Sequence, residues 1–110
     1  MRLPNAENAI IPAEKLRDYL LRAEHPYNRG KAAVFAALGY TEANWRQLEA
    51  DIRAQHLILD AELGKPSDFG AKYEVRGLLR GPLGVRVIIT VWMIDVDSEV
   101  PRLLTAHPGE

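Results

Sequence analysis

The hydrophobic period of the chain changes at about residue 71. Before that point apolar residues recur at three- and four-residue steps, and after it they alternate with polar ones. The first spacing belongs to a one-sided helix and the second to a half-buried strand. Pro12 can open a helix, since the amide hydrogen it lacks would be unpaired in a first turn. Leu16, Tyr19, Leu20 and Ala23 then mark one inward stripe over about 12–23. Pro26, Asn28 and Gly30 predict a loop over 24–30. The stretch 31–38 is short and apolar nearly all round, as a buried second helix would be. Gly39 offers a left-handed stop and Thr41 an N-cap. Trp45, Leu48 and Ile52 then form the inner face of a third helix, to about Ala54.

Weak alternation over 57–63 predicts a short edge strand, ended by Gly64, Pro66, Ser67, Asp68 and Gly70. From residue 71, Tyr73, Val75 and Leu79 alternate with Lys72, Glu74, Arg76 and Arg80. Gly81-Pro82-Leu83-Gly84 reverses the chain into 85–94, a β-branched run apolar on both faces. A polar turn at 95–99 leads to a last strand over 100–107, with Pro108, Gly109 and Glu110 as a tail. The expected fold is α+β, with three N-terminal helices packed on one face of a C-terminal antiparallel β-meander of three to four strands. Its helical part spans about 10–56 and its sheet about 57–107, in a single domain over 1–110. With the helices on one face, Tyr73, Val75, Val85, Val87, Ile89, Val91 and Met93 are the expected core side. The open face then carries Lys72, Glu74, Arg76, Thr90 and Trp92, joined by either Arg102 or Thr105 with His107, because a single bulge exchanges that last set.

Composition narrows the class. A chain of 110 residues, 47% hydrophobic and 26% charged, suits one globular domain. The absence of cysteine removes disulfides and thiolate metal sites and fits a reducing, cytoplasmic setting. The run 85–94 is about half the length a membrane helix needs, and the N-terminus has no signal-peptide core. A net charge of -1 argues against a molecule coated with positive charge, yet Lys72, Arg76, Arg80 and Arg86 stand against Glu74 alone in 71–94, a local +3. Any nucleic-acid surface must be such a patch.

A cationic sheet face bearing an indole can seat a single-stranded nucleic acid, cations on phosphates and Trp92 stacked on a base. The same basic side chains can equally well only solvate an open sheet. RNA cleavage without a metal needs a group to take the 2′-hydroxyl proton, one to protonate the leaving oxygen, and cations for the developing charge. His25, Glu74 or His107 can move protons, and Lys31, Lys72, Arg76 and Arg102 can stabilise charge. The acidic turn 95–99 lacks the glycine and terminal glutamate of a calcium loop. The histidines at 25, 56 and 107 show no ligand spacing, and no glycine-rich phosphate loop precedes a helix. Neither metal nor cofactor is expected.

Several residues carry a family resemblance: Leu3-Pro4-Asn5, Lys15-Leu16, Tyr19-Leu20-Leu21, His25-Pro26, Gly30-Lys31, Phe35, Gly39-Tyr40, Trp45, Lys72-Tyr73-Glu74-Val75, Gly81-Pro82, Thr90-Val91-Trp92, Pro101-Arg102-Leu103 and Thr105-Ala106. With these the chain resembles, over nearly all its length, a small bacterial domain family of unknown function. In its order of helices, sheet and closing strand it is also similar to the barnase, EndoU, colicin and RelE-type ribonucleases, which include bacterial toxins and phage-associated nucleases. That likeness implies a site among His25, Lys31, Lys72, Tyr73, Arg76, Arg102 and Thr105. His107 stands where similar sequences carry a tyrosine. The leading expectation is a metal-independent ribonuclease-like or RNA-binding domain, the toxin of a toxin–antitoxin pair, with RNA and a small antitoxin-like protein as partners. In it Arg76 and Arg102 contact phosphate, and His25 or Glu74 carries the proton. The rival is a non-catalytic protein-interaction domain that binds by strand addition or through a patch anchored on Trp92 and Leu103.

Overall fold

The computed structural model describes residues 1–28 and 30–109. Arg29, in the expected loop, and Glu110, the end of the expected tail, lie outside the described residues. Helix α1 (Ala13–Lys15) runs straight into a π-helical turn, Leu16–Leu20. The Leu21 N–H donates to the Leu16 carbonyl five residues back, at 2.9 Å. Closing over five residues widens the turn and changes its phase. Leu16, Leu20 and Leu21 are therefore all buried, while Ala23, expected inside, is exposed. Helix α2 (Lys31–Ala37) starts at Gly30, whose φ of 81° is a left-handed conformation that glycine adopts without Cβ strain. It buries Ala32 and Phe35 and stops at Gly39, φ 98°. A 3-10 turn, Glu42–Asn44, then leads into α3 (Trp45–Gln55), which buries Leu48 and Ile52. Thr41 opens this segment, its N–H donating to Asn44 Oδ1 at 2.7 Å.

The sheet comprises β1 (Glu62–Leu63), β2 (Gly70–Arg80), β3 (Val85–Asp95) and β4 (Arg102–Pro108), antiparallel and in sequence order. The strand expected over 57–63 contracts to two residues. Leu57 N–H instead donates to Ile52 O at 3.2 Å and Leu59 N–H to His56 O at 3.0 Å, so the helix end consumes that segment.

The expected face assignment of β3 is reversed. Ile88, Thr90 and Trp92 are fully buried, whereas Val85 is exposed and Val87 and Ile89 are half-buried; Val91 and Met93 are buried too, but outside the core cluster that Ile88 and Trp92 join. Residues opposite one another in an antiparallel pair share a face. Trp92 lies opposite Tyr73, Thr90 opposite Val75 and Ile88 opposite Gly77, and these even positions meet the helices. A strand apolar on both sides carries no phase of its own, and its partners decided it. On the other side of β3 a bulge between Val91 and Trp92 lets Arg102, Thr105 and His107 pair with Met93, Val91 and Ile89. The two sets expected to be alternatives therefore occur together.

Under the helices a buried polar chain ties α3 to two strands. Trp92 Nε1–H donates to Thr90 Oγ1 at 2.9 Å, and Thr90 Oγ1 meets His56 Nδ1 at 3.0 Å. His56 Nε2 lies 3.2 Å from the Gly77 carbonyl. A carbonyl can only accept, so the ring proton sits on Nε2 and the Thr90 hydroxyl donates to Nδ1. Burial holds the fully buried His56 below its usual value, against the opposing pull of the Gly77 carbonyl.

Both sheet edges are partly closed. Gln55 caps Arg80 at the outer edge of β2, accepting from its N–H at 2.7 Å and donating to its carbonyl at 3.0 Å. Ile10 lies beside β4, donating to Pro101 O at 2.8 Å and accepting from Leu103 N–H at 2.9 Å. Among the described residues no helix is long and apolar enough to cross a membrane.

Candidate functional site

The π turn, the 24–30 loop, the start of α2 and the middle of β4 meet around one phenol. Lys31, the first residue of α2, donates from Nζ to Thr105 Oγ1 at 2.9 Å and to the Tyr19 hydroxyl at 3.1 Å. The two hydroxyls lie 3.3 Å apart and close the triangle. Lys15 Nζ sits 5.5 Å from the Tyr19 ring centre. Burial works to raise the Tyr19 phenol, but hydrogen bonds with Thr105 and Lys31 and the charges of Lys31 and Lys15 outweigh it. The phenol is held below the ordinary tyrosine value.

The loop is set against this triangle by Asn28, which is 2% exposed. Its Nδ2 donates to the carbonyls of Tyr19 at 3.0 Å and Arg22 at 2.5 Å, and its Oδ1 accepts from Gly30 N–H at 3.1 Å. One buried amide thus joins the π turn to the start of α2. His25 stands edge-on to the Tyr19 ring, with centroids 5.0 Å apart. Its Nδ1 accepts the Tyr27 backbone N–H at 3.1 Å, so the neutral ring carries its proton on Nε2 as a donor. Tyr19, His25, Lys31 and Thr105 are all partly buried, which leaves the group open to solvent.

Of the residues singled out from the sequence, His25, Lys31 and Thr105 come together here. The rest do not join them. Lys72, Glu74 and Arg76 are exposed along β2 on the open face. Arg102 is held by Asp95 through two hydrogen bonds, of 2.7 and 3.1 Å. That pairing raises Arg102 and holds the Asp95 carboxyl below its usual range. The acidic turn is therefore not simply solvated, and Arg102 is already engaged. Tyr73 packs against the core. Trp92, expected to stack on a base, is 0% exposed beneath the helices, as is Leu103, the rival anchor. His107 lies across from Ile89, its Nδ1 3.2 Å from the Pro108 carbonyl.

Tyr19 is the member that sequence reasoning missed. The three- and four-residue stripe placed it inside, and its ring does pack against the core, but the stripe says nothing of its hydroxyl. The available signal was chemical: a phenol among leucines, with Lys15 four residues before it. The triangle offers hydroxyls, an ammonium and an imidazole N–H but no carboxylate, a set suited to an anion such as phosphate. Among the described residues no three His, Cys, Asp or Glu side chains gather as a metal site would require.

Comparison with known proteins agrees with this architecture. A chain of a contact-dependent growth inhibition toxin–immunity protein complex from Klebsiella pneumoniae 342 superposes with a TM-score of 0.67 at 17% identity, covering 91% of this chain and 99% of that one. The two share a fold. No curated protein matches the sequence. A family model described as a domain of unknown function, DUF6883, matches residues 2–110, and the chain belongs to that family.

Proposed function

We propose that this domain cleaves single-stranded RNA without a metal ion, as a toxin-type ribonuclease whose active centre is Tyr19, His25, Lys31 and Thr105. The observation that carries the reading is the triangle of Lys31 Nζ, Thr105 Oγ1 and Tyr19 OH, with all sides between 2.9 and 3.3 Å. In the reaction Tyr19, once ionised, takes the 2′-hydroxyl proton, and the 2′-oxygen attacks phosphorus. The bond from phosphorus to the 5′-oxygen breaks, and the Lys31 ammonium protonates that leaving oxygen. The products are a 2′,3′-cyclic phosphate and a 5′-hydroxyl. Thr105 and His25 Nε2–H donate to the non-bridging oxygens, where charge develops. The Tyr19 proton then returns to Lys31 across their 3.1 Å hydrogen bond, and the pair is reset.

A toxin of this kind needs a cognate inhibitor in the cell that makes it. The structural likeness to a chain from a toxin–immunity complex supports a small immunity- or antitoxin-like protein as that partner. The rival, a purely interacting domain, loses the Trp92 and Leu103 anchors to the core and keeps strand addition at a sheet edge.

The test is incubation of the purified, folded protein with single-stranded RNA in a chelating buffer, beside Lys31→Ala and Tyr19→Phe. The reading expects 2′,3′-cyclic phosphate ends from the native protein and a loss of about 10²- to 10⁴-fold in each variant. Intact RNA with the native protein would overturn it.

A further inference from the structure

Tyr27 is 76% exposed, yet its loop is fastened from below. Its own N–H is spent on His25 Nδ1, and the neighbouring Asn28 is buried with three hydrogen bonds. The Tyr27 ring sits 5.9 Å from the His25 ring, which in turn sits 5.0 Å from Tyr19. Three rings thus run in a row from the hydroxyl triangle out to solvent. A large aromatic held in water with its backbone already ordered loses little freedom on meeting a ligand, and such side chains are enriched where ligands are bound.

We infer that Tyr27 is a nucleobase platform. With a phosphate against Lys31, Thr105 and His25 Nε2–H, the base of an adjoining nucleotide stacks on the outer face of the Tyr27 ring. The ligand class is a single-stranded segment, because a base paired in a duplex cannot offer its face. The inference rests on the RNA reading of the Tyr19 group and adds to it the seat of the base. Stacking tolerates any base, so the platform sets where the strand lies more than which sequence it has.

The probe is a short single-stranded 2′-O-methyl oligoribonucleotide, which cannot be cut at its blocked 2′ positions, with binding read by fluorescence anisotropy. Tyr27→Ala should weaken binding roughly fivefold to a hundredfold, and Tyr27→Phe should keep it near the native value. An abasic version of the probe should lose affinity for the native protein but not for Tyr27→Ala. If Tyr27→Ala binds as the native protein does while Lys31→Ala binds weakly, the platform is wrong and the phosphate site stands. If the native protein does not bind the probe at low salt, both readings are overturned.

Discussion

Tyr19 and His56 show how little a residue's type says before its neighbours are known. Tyr19 sits in the π turn and His56 just past the end of α3, and both are held away from their ordinary ionisation, in each case downwards. For Tyr19 the causes that prevail are Thr105, Lys31 and Lys15, and on the proposed reading the consequence is catalytic. Cleavage should rise with pH as the phenol ionises, and any activity left in Tyr19→Phe should lose that limb of the profile. For His56 the cause is burial, and the consequence is stability. The folded value lies below the unfolded one of about 6.5, so folding selects the neutral ring. Its contribution is complete above the unfolded value and declines as pH falls from there through the lower folded value. The melting temperature should therefore drop between about pH 7 and 5, and a His56→Gln variant should flatten that slope. Trp92→Ala should cost about 3–5 kcal/mol in urea unfolding, as loss of a buried indole does. It is a fold residue.

Elements explain which parts of the pattern could be read. The three helices, the hairpin at 81–84 and the closing strand were legible, because period, glycines and prolines agreed there. The π turn was not, since an extra residue in one helical turn leaves no mark in the spacing of leucines; Tyr19 keeps its ring against the core while its hydroxyl meets Lys31 and Thr105. The phase of β3 was equally hidden. Val85, Val87, Ile89 and Val91 on one side and Ile88, Thr90 and Trp92 on the other offer similar apolar weight. Thr90 opposite Val75, bonded to a histidine distant in sequence, decided the matter. The site was half legible for the same reason: His25, Lys31 and Thr105 are chemically conspicuous, but their meeting depends on a bulge and a loop anchor. Asn28→Ala removes that anchor. It should lower stability by about 1–3 kcal/mol, the cost of leaving buried partners unpaired. Cleavage should fall further than an equally destabilising change in α3 would cause.

At the scale of the molecule, the cations of the sheet and those of the triangle have different partners. Lys72, Glu74 and Arg76 stand exposed along β2, with no hydrogen bond to the hydroxyl triangle among the described residues, and Arg102 is taken up by Asp95. Arg76→Ala, at a residue the sequence assigned to phosphate contact, should leave unfolding within about 0.5 kcal/mol and cleavage nearly intact. A loss of cleavage in that variant would move the active centre to the sheet.

The reacting group is drawn from both ends of the sequence, and this bears on how the protein comes into being. Thr105 stands 86 residues after Tyr19, and Leu103 and Ala106, on the same strand, are core. At ribosomal speeds of about 5–20 residues per second, Tyr19 is made roughly 4 to 17 seconds before Thr105. Throughout that interval the nascent chain lacks Thr105 and the core residues of β4. On the proposed reading, activity would appear only once β4 docks, and the chain would be inert for most of its synthesis.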